Sequence, residues 1–222
     1  MGQVTRLTPR PPRPPRRAPS STKPVFYLLA GPNGAGKSTL YKALVLAGTI
    51  PDNSEFVNAD LFEAAYLQHV ADPQTRSEQA RQWADARRAE LLQASQSFVS
   101  ETVFSHPSKL ELIAKAKTQG FFVMLLVVAL DNPQRLLARV AQRVAEGGHP
   151  VSTERVVSRY PRTLTNLRPA VRLADAAVLY DSHDTTPGTH TAVALCKGSW
   201  TRELVQRLPQ WAQQVLGEET GL

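Results

Sequence analysis

Gly31-Pro32-Asn33-Gly34-Ala35-Gly36-Lys37-Ser38 is the stretch of this sequence that decides the fold. It matches the pattern G-x-x-x-x-G-K-S in full. The glycines let backbone N–H groups turn inward around phosphate oxygens. Lys37 carries a positive charge to the β- and γ-phosphates of a nucleotide, and the Ser38 hydroxyl is a ligand for magnesium. The helix that begins here aims its N-terminus at the same phosphates. The context agrees, because residues 25–30 read as a buried strand and residues 36–46 as a helix. The run from Gly31 to Thr39 is therefore expected to bind ATP with Mg2+.

Outward from this loop, short apolar runs alternate with helical patterns. Strands are expected at residues 56–59, 97–101, 121–130, 177–180 and 191–195. Helices are expected at 61–69, 78–96, 108–119, 133–145, 153–167 and 202–216. Such alternation predicts an α/β fold of the P-loop NTPase kinase type. It has a parallel sheet, helices on both faces and a helical lid. Ligands of such sheets lie at the carboxyl ends of the strands, so the residues just after each strand are the ones to read.

Asn58-Ala59-Asp60 ends the second strand. A carboxylate at that place can take the proton of an acceptor hydroxyl and aim its oxygen at the γ-phosphate. Asp60 also reads as the N-cap of the next helix; both readings stand at this stage. Phe98-Val99-Ser100-Glu101-Thr102 is an apolar run ending in an acid, the pattern of a Walker B segment. Glu101 is a candidate to hold magnesium through a water or to bond the acceptor. Asp131 has a similar setting, but Asp131-Asn132-Pro133 has the turn chemistry that caps a helix.

Arg135, Arg139 and Arg143 lie four apart on one helical face. Gly147-Gly148-His149 breaks the chain, and Arg155, Arg159 and Arg162 follow. Arginines on a closing lid stabilise charge spread over a transferring phosphoryl group; a solvated basic face explains the same spacing. Arg143 and Arg159, nearest the glycine hinge, are the functional candidates, whereas Arg135 and Arg162 read as surface. His149 sits in the hinge, in reach of a ligand. His69, His106, His183 and His190 read as surface residues without metal-ligand spacing.

Composition narrows the classes. Of the net charge of +7, six charges precede Val25, leaving +1 for the rest, which argues against a nucleic-acid-binding fold. Residues 1–24 hold seven prolines and no acidic residue, and they read as a disordered Pro/Arg-rich leader ahead of one domain at 25–222. Cys196 is the only cysteine, so no internal disulfide forms. The apolar run at 121–130 is too short to span a bilayer, and the leader lacks the hydrophobic stretch of a secretory signal.

Taken together, several motifs resemble the zeta toxin family of P-loop kinases, especially its short bacterial branch. They are the Gly31-to-Thr39 loop, Asn58-Ala59-Asp60, Ser100-Glu101-Thr102, and Arg139-Val140 through Arg143-Val144. Gly147-Gly148-His149-Pro150-Val151, Arg159-Tyr160, Asn166, Ala174-Asp175 and Tyr180-Asp181-Ser182 complete the set. The resemblance implies a cytoplasmic bacterial kinase that phosphorylates the 3′-hydroxyl of a UDP-activated amino sugar, chiefly UDP-N-acetylglucosamine. Cell-wall precursor synthesis would then be starved, and a small helical antitoxin would block the nucleotide site. It implies Asp60 as base, Glu101 and Thr102 as acceptor contacts, and Arg139, Arg143 and Arg159 as phosphate clamps. The leader is no part of the family pattern, and the lid differs from that of the longer toxins. Two other readings remain: a kinase of another small acceptor, such as an antibiotic or nucleoside phosphotransferase, and a nucleotide-binding interaction protein that works through its basic leader.

Overall fold

The computed structural model describes residues 23–146, 151–183 and 190–217. The leader up to residue 22, and Gly147, Gly148 and His149 of the expected hinge, lie outside the described residues. In chain order the elements are β1 (Val25–Ala30), α1 (Lys37–Leu46), β2 (Glu55–Val57), α2 (Ala59–Tyr66), α3 (Pro73–Gln93), β3 (Phe98–Thr102) and α4 (Ser108–Thr118). Then come β4 (Phe122–Ala129), α5 (Pro133–Ala145), α6 (Thr153–Leu173), β5 (Ala176–Asp181), β6 (Thr191–Lys197), β7 (Trp200–Glu203) and α7 (Gln210–Leu216).

The strands form one sheet in the order β2-β3-β1-β4-β5-β6-β7. The first five are parallel, so the expected parallel sheet is present. It continues into an antiparallel edge made by β6 and β7. Alternation along the central strands splits the core in two. Phe26, Leu28 and Ala30 of β1, with Val123, Leu125 and Val127 of β4, face a cluster built from α3, α4, α6 and α7. Leu29, Leu126 and Val128 point the other way, to Leu40 of α1 and to Leu136 and Val140 of α5. Strands buried on both faces read as continuous apolar runs, which is why β1 and β4 were plain in the sequence.

Helix α6 joins the two faces. Its start, at Val156, belongs to the α1/α5 side, while Leu164, Leu167, Ala170 and Val171 belong to the other. Between them Tyr160 donates to the carbonyl of Leu130 (2.8 Å) and Thr163 to that of Val103 (3.0 Å), both just beyond strand ends. The helix thus crosses the carboxyl edge of the sheet, where ligands of this fold bind. It runs to Leu173, past the expected end at 167, with Pro161 and Pro169 inside it. Burial of its apolar stripe outweighs the roughly 3 kcal/mol that an interior proline costs.

Three other expectations shift. Asp72 accepts the Thr75 N–H at 2.8 Å and caps α3, with Pro73 in the first turn, so that helix starts five residues before the expected 78. The second strand ends at Val57, and Asn58, not Asp60, is the N-cap of α2. The expected closing helix at 202–216 is a strand and a shorter helix. Gly198 (φ +60°) and Ser199 make a two-residue turn that folds Trp200–Glu203 back onto β6. Pro209 disfavours helix in the residue before it and delays α7 to Gln210. Asp131 caps that last helix, accepting the N–H groups of Gln210 (3.0 Å) and Trp211 (2.6 Å). Asn132 caps α5.

Candidate active site

The Gly31-to-Ser38 loop connects β1 to α1 at the centre of the sheet. Gly31 (φ +151°) lies so close to β4 that a Cβ there would meet the Val128 carbonyl oxygen at 1.9 Å. Gly36 takes a left-handed φ of +89° as the N-cap of α1, a conformation that glycine adopts without penalty. Asn33 is 8% exposed, and among the described residues its buried amide oxygen meets no hydrogen-bond partner. Buried polar atoms are nearly always paired, so this acceptor is left for a donor that a bound ligand or water would bring. Pro32 and Ala35 complete the turn, the N–H of Ala35 donating to the Pro32 carbonyl at 3.3 Å.

Lys37 is 6% exposed. Its ammonium donates to the Pro32 carbonyl (3.0 Å) and stands 3.6 Å from Glu101 Oε1. The Ser38 hydroxyl donates to Glu101 Oε2 at 2.7 Å. The amide Nδ2 of Asn58 donates to the same oxygen at 3.0 Å. Glu101, not Asp131, is therefore the acid that meets the loop. Magnesium prefers hard oxygens and takes only one or two protein ligands beside phosphates and waters. The Ser38 hydroxyl and the Glu101 carboxylate supply that set, so the residues fit the ion.

Beyond the loop opens a cavity of about 460 Å³. Asp60, Glu101, Thr102 and Arg159 all line it, joined by Arg88 and Lys109. Asp60 is exposed in the first turn of α2, and among the described residues no hydrogen bond or ion pair holds its carboxylate. Thr102 has a structural duty as well: its carbonyl accepts the Gly31 N–H (3.3 Å) and its hydroxyl the Phe104 N–H (3.2 Å). Phe104 is buried at a φ of +62°, rare for a bulky residue. Asn166 of α6 donates to its carbonyl at 3.2 Å, holding that wall of the cavity in place.

The arginines separate. Arg159 sits where α6 crosses the sheet edge and faces the cavity. Burial pushes its guanidinium below the ordinary arginine range, Arg155 and Arg162 add to this, and Asp60 opposes it. Arg139 donates to the Ser182 hydroxyl (3.2 Å) and carbonyl (2.7 Å). Burial lowers its pKa, Arg135 adds to this, and Asp181 opposes it. Helix α5 touches the loop at Gly34, where a Cβ would meet the Leu136 carbonyl at 2.6 Å, and half-buried Arg143 lies one turn beyond Val140 on that helix. Half-buried Arg135 donates to the His183 carbonyl (2.7 Å), whereas exposed Arg162 donates to the Ser158 carbonyl of its own helix (2.9 Å).

Sequence reasoning missed several features, among them Arg88 and His190. Arg88 is 6% exposed and donates to Ser100 Oγ at 3.1 Å. It falls on the buried stripe Ala80, Ala84, Arg88, Leu91 of α3, so an arginine at an apolar position was the available signal. His190, read as a surface residue, packs on the loop: a Cβ on Gly36 would lie 2.9 Å from its Nε2. Nothing in its sequence context marks that contact.

Comparison with known proteins agrees with this fold. The family model described as zeta toxin matches residues 14–186. An uncharacterized protein of Haemophilus influenzae is 28% identical over 138 residues, covering 62% of this chain and 92% of its own length. A structure from the PezAT chromosomal toxin-antitoxin system of Streptococcus pneumoniae superposes with a TM-score of 0.61 at 15% identity, over 93% of this chain and 83% of the other. The AvrRxo1-ORF1:AvrRxo1-ORF2 structure, determined with sulphate ions, gives a TM-score of 0.62 at 20% identity, over 83% of this chain and 62% of that one. No helix among the described residues is long and apolar enough to cross a membrane. With the family model covering most of its length, the chain belongs to the zeta toxin family of P-loop kinases and is an ATP-dependent phosphotransferase.

Proposed function

We propose that this kinase transfers the γ-phosphoryl group of ATP to a sugar hydroxyl of a UDP-activated amino sugar of the UDP-N-acetylglucosamine type. The observation that carries the reading is that Asp60, Glu101, Thr102 and Arg159 line one cavity beside the nucleotide loop. Asp60, unencumbered at its mouth, takes the hydroxyl proton. The acceptor oxygen forms its bond to the γ-phosphorus as the bond to the ADP oxygen breaks, and ADP leaves. Lys37, Arg143 and Arg159 neutralise the charge on the transferring group, with Arg139 on the nucleotide side. Ser38 and Glu101 would hold Mg2+, directly or through water; when bound, the ion supplies charge neutralisation between the phosphates. Glu101 and Thr102 contact the acceptor, and His149 is a further candidate contact.

The zeta toxin family and the PezAT structure, which comes from a toxin-antitoxin system, support a cytoplasmic bacterial toxin restrained by a small helical antitoxin over the nucleotide site. The test is to incubate the protein with ATP, Mg2+ and a panel of nucleotide sugars, antibiotics and nucleosides. Products are read by mass, with Lys37→Ala as control. A mono-phosphorylated UDP-amino sugar that disappears in the control is the expected result. Phosphorylation of an antibiotic or nucleoside alone would replace this acceptor, and ATP consumption with no acceptor in the panel would refute it.

A further inference from the structure

Among the described residues, Glu101 has three partners around its carboxylate: Ser38, Lys37 and Asn58. The first two belong to the nucleotide loop and have duties toward phosphate. Asn58 has none. It is 6% exposed, and both ends of its amide are engaged. Oδ1 accepts the Leu61 N–H at 3.2 Å and Nδ2 donates to Glu101 Oε2 at 3.0 Å. The orientation of the amide follows from these partners. A backbone N–H can only donate, so the oxygen faces Leu61 and the NH2 is left to face the carboxylate.

The place of this residue matters because β2 is short, three residues long, and pairs only with β3 at the end of the sheet order. Its last carbonyl, Val57, is held from below by Ser100 Oγ (3.1 Å), which itself accepts from Arg88 (3.1 Å). Asn58 holds the junction from the other side. One side chain thus fixes the acid that meets the loop and closes the first turn of α2, which carries Asp60.

Building on the assignment of Glu101 to magnesium and Asp60 to the proton, we propose that Asn58 is a positioning residue that registers the two carboxylates against each other. Asparagine suits this double role, since it caps a helix with its oxygen and still has a donor for an anion. Serine also caps but is too short to span to Glu101. Aspartate caps and matches the size, but turns the donor into a second negative charge against Glu101.

The test uses the full chain and a fluorescent ATP analogue titrated with and without Mg2+, alongside melting temperature. In Asn58→Ser, affinity without metal and melting temperature should stay close to wild type. The Mg2+-dependent gain in affinity should shrink by about 10-fold, the lower end of what the loss of a group orienting a metal ligand costs. Turnover on the acceptor, once identified, should fall in parallel. Asn58→Asp should lose at least as much while keeping its fold, and it provides the same comparison should the serine variant fold poorly. If Ser and Asp both behave as wild type and only Asn58→Ala suffers, Asn58 is a helix cap and the proposal is overturned. A wild-type protein with no Mg2+-dependent gain would instead overturn the metal assignment of Glu101, and with it the basis of the proposal.

Discussion

The two walls of the active site are built on different principles. The nucleotide wall is built chiefly from one continuous segment, Gly31 to Thr39, whose binding groups are expected to be mostly backbone N–H donors at a helix start. The acceptor wall gathers side chains from α2, α3, α6, the end of β3 and the start of α4. The first is rigid by virtue of strand, turn and helix in succession. The second depends on packing and on clasps such as Thr163 to Val103 and Asn166 to Phe104. A backbone site serves any reaction that needs a bound phosphate chain, whereas an assembled site can be retuned residue by residue. Nucleotide use should therefore be sensitive at few positions, and acceptor choice at many.

The largest expected effect lies in the shared machinery. Lys37→Ala should lower phosphoryl transfer by a factor on the order of 10³, since a donor aimed at developing charge is worth that much. The variant should remain folded, and turnover beside a circular dichroism melt checks both. Asp60→Asn comes next. Because Asn58 holds the cap, Asp60 contributes to α2 only through its charge in the first turn, an effect of about 0.3–1 kcal/mol. ATP affinity should survive while acceptor turnover falls by roughly 10², the usual worth of a positioned base. A drop in both by the same factor would erase the division between the walls.

Arg88→Met sharpens the division. The substitution keeps much of the buried volume and removes the guanidinium from the acceptor cavity and from Ser100. It also removes one partner of Asp85, which keeps its ion pairs with Arg81 and Lys109. Loss of a charged hydrogen bond costs about 1.5–3 kcal/mol, and a denaturant titration should read that scale. Acceptor KM should rise by about tenfold, the equivalent of roughly 1.4 kcal/mol, while ATP KM holds. Equal changes in the two constants would mean that Arg88 supports the whole site.

The same contrast explains what could be read from the sequence. The nucleotide wall is contiguous, so its spacing alone announced Lys37 and Ser38, and the apolar runs of β1 and β4 announced the sheet around it. Asp60 and Glu101 drew notice as acids near expected strand ends; the structure puts Glu101 within β3 and Asp60 in the first turn of α2. Arg88, Lys109 and the strained Phe104 were not, because they meet only after α3, α4 and β3 have packed. The alternative reading of Asp60 as the cap of α2 fails because Asn58 is an equally good capping type, and the early end of β2 at Val57 gives the cap to Asn58. The C-terminal hairpin was missed because a helical pattern over 202–216 masked the Gly198-Ser199 turn signal just before it.

The smallest expected effect concerns the N-terminal boundary, where the two walls should agree. The leader was expected to end at residue 24, but Pro24 takes part in the fold: its carbonyl accepts the Phe122 N–H at 2.8 Å and continues the β1–β4 ladder. The next residue, Val25, donates its N–H to Ser97 Oγ at 2.9 Å. A truncation should therefore stop at residue 22 and leave Lys23 and Pro24 in place. Every candidate site residue lies at or beyond Gly31, so neither the loop nor the cavity should respond. Turnover, ATP KM and acceptor KM should each stay within about twofold of the full chain, the scale of changes away from a structural feature. The family model begins at residue 14, so a loss confined to one wall would be informative. A raised acceptor KM alone would bring the leader's arginines to the acceptor cavity, and a raised ATP KM alone would bring them to the phosphates. Comparing truncations at 13 and at 22 would then locate the responsible segment.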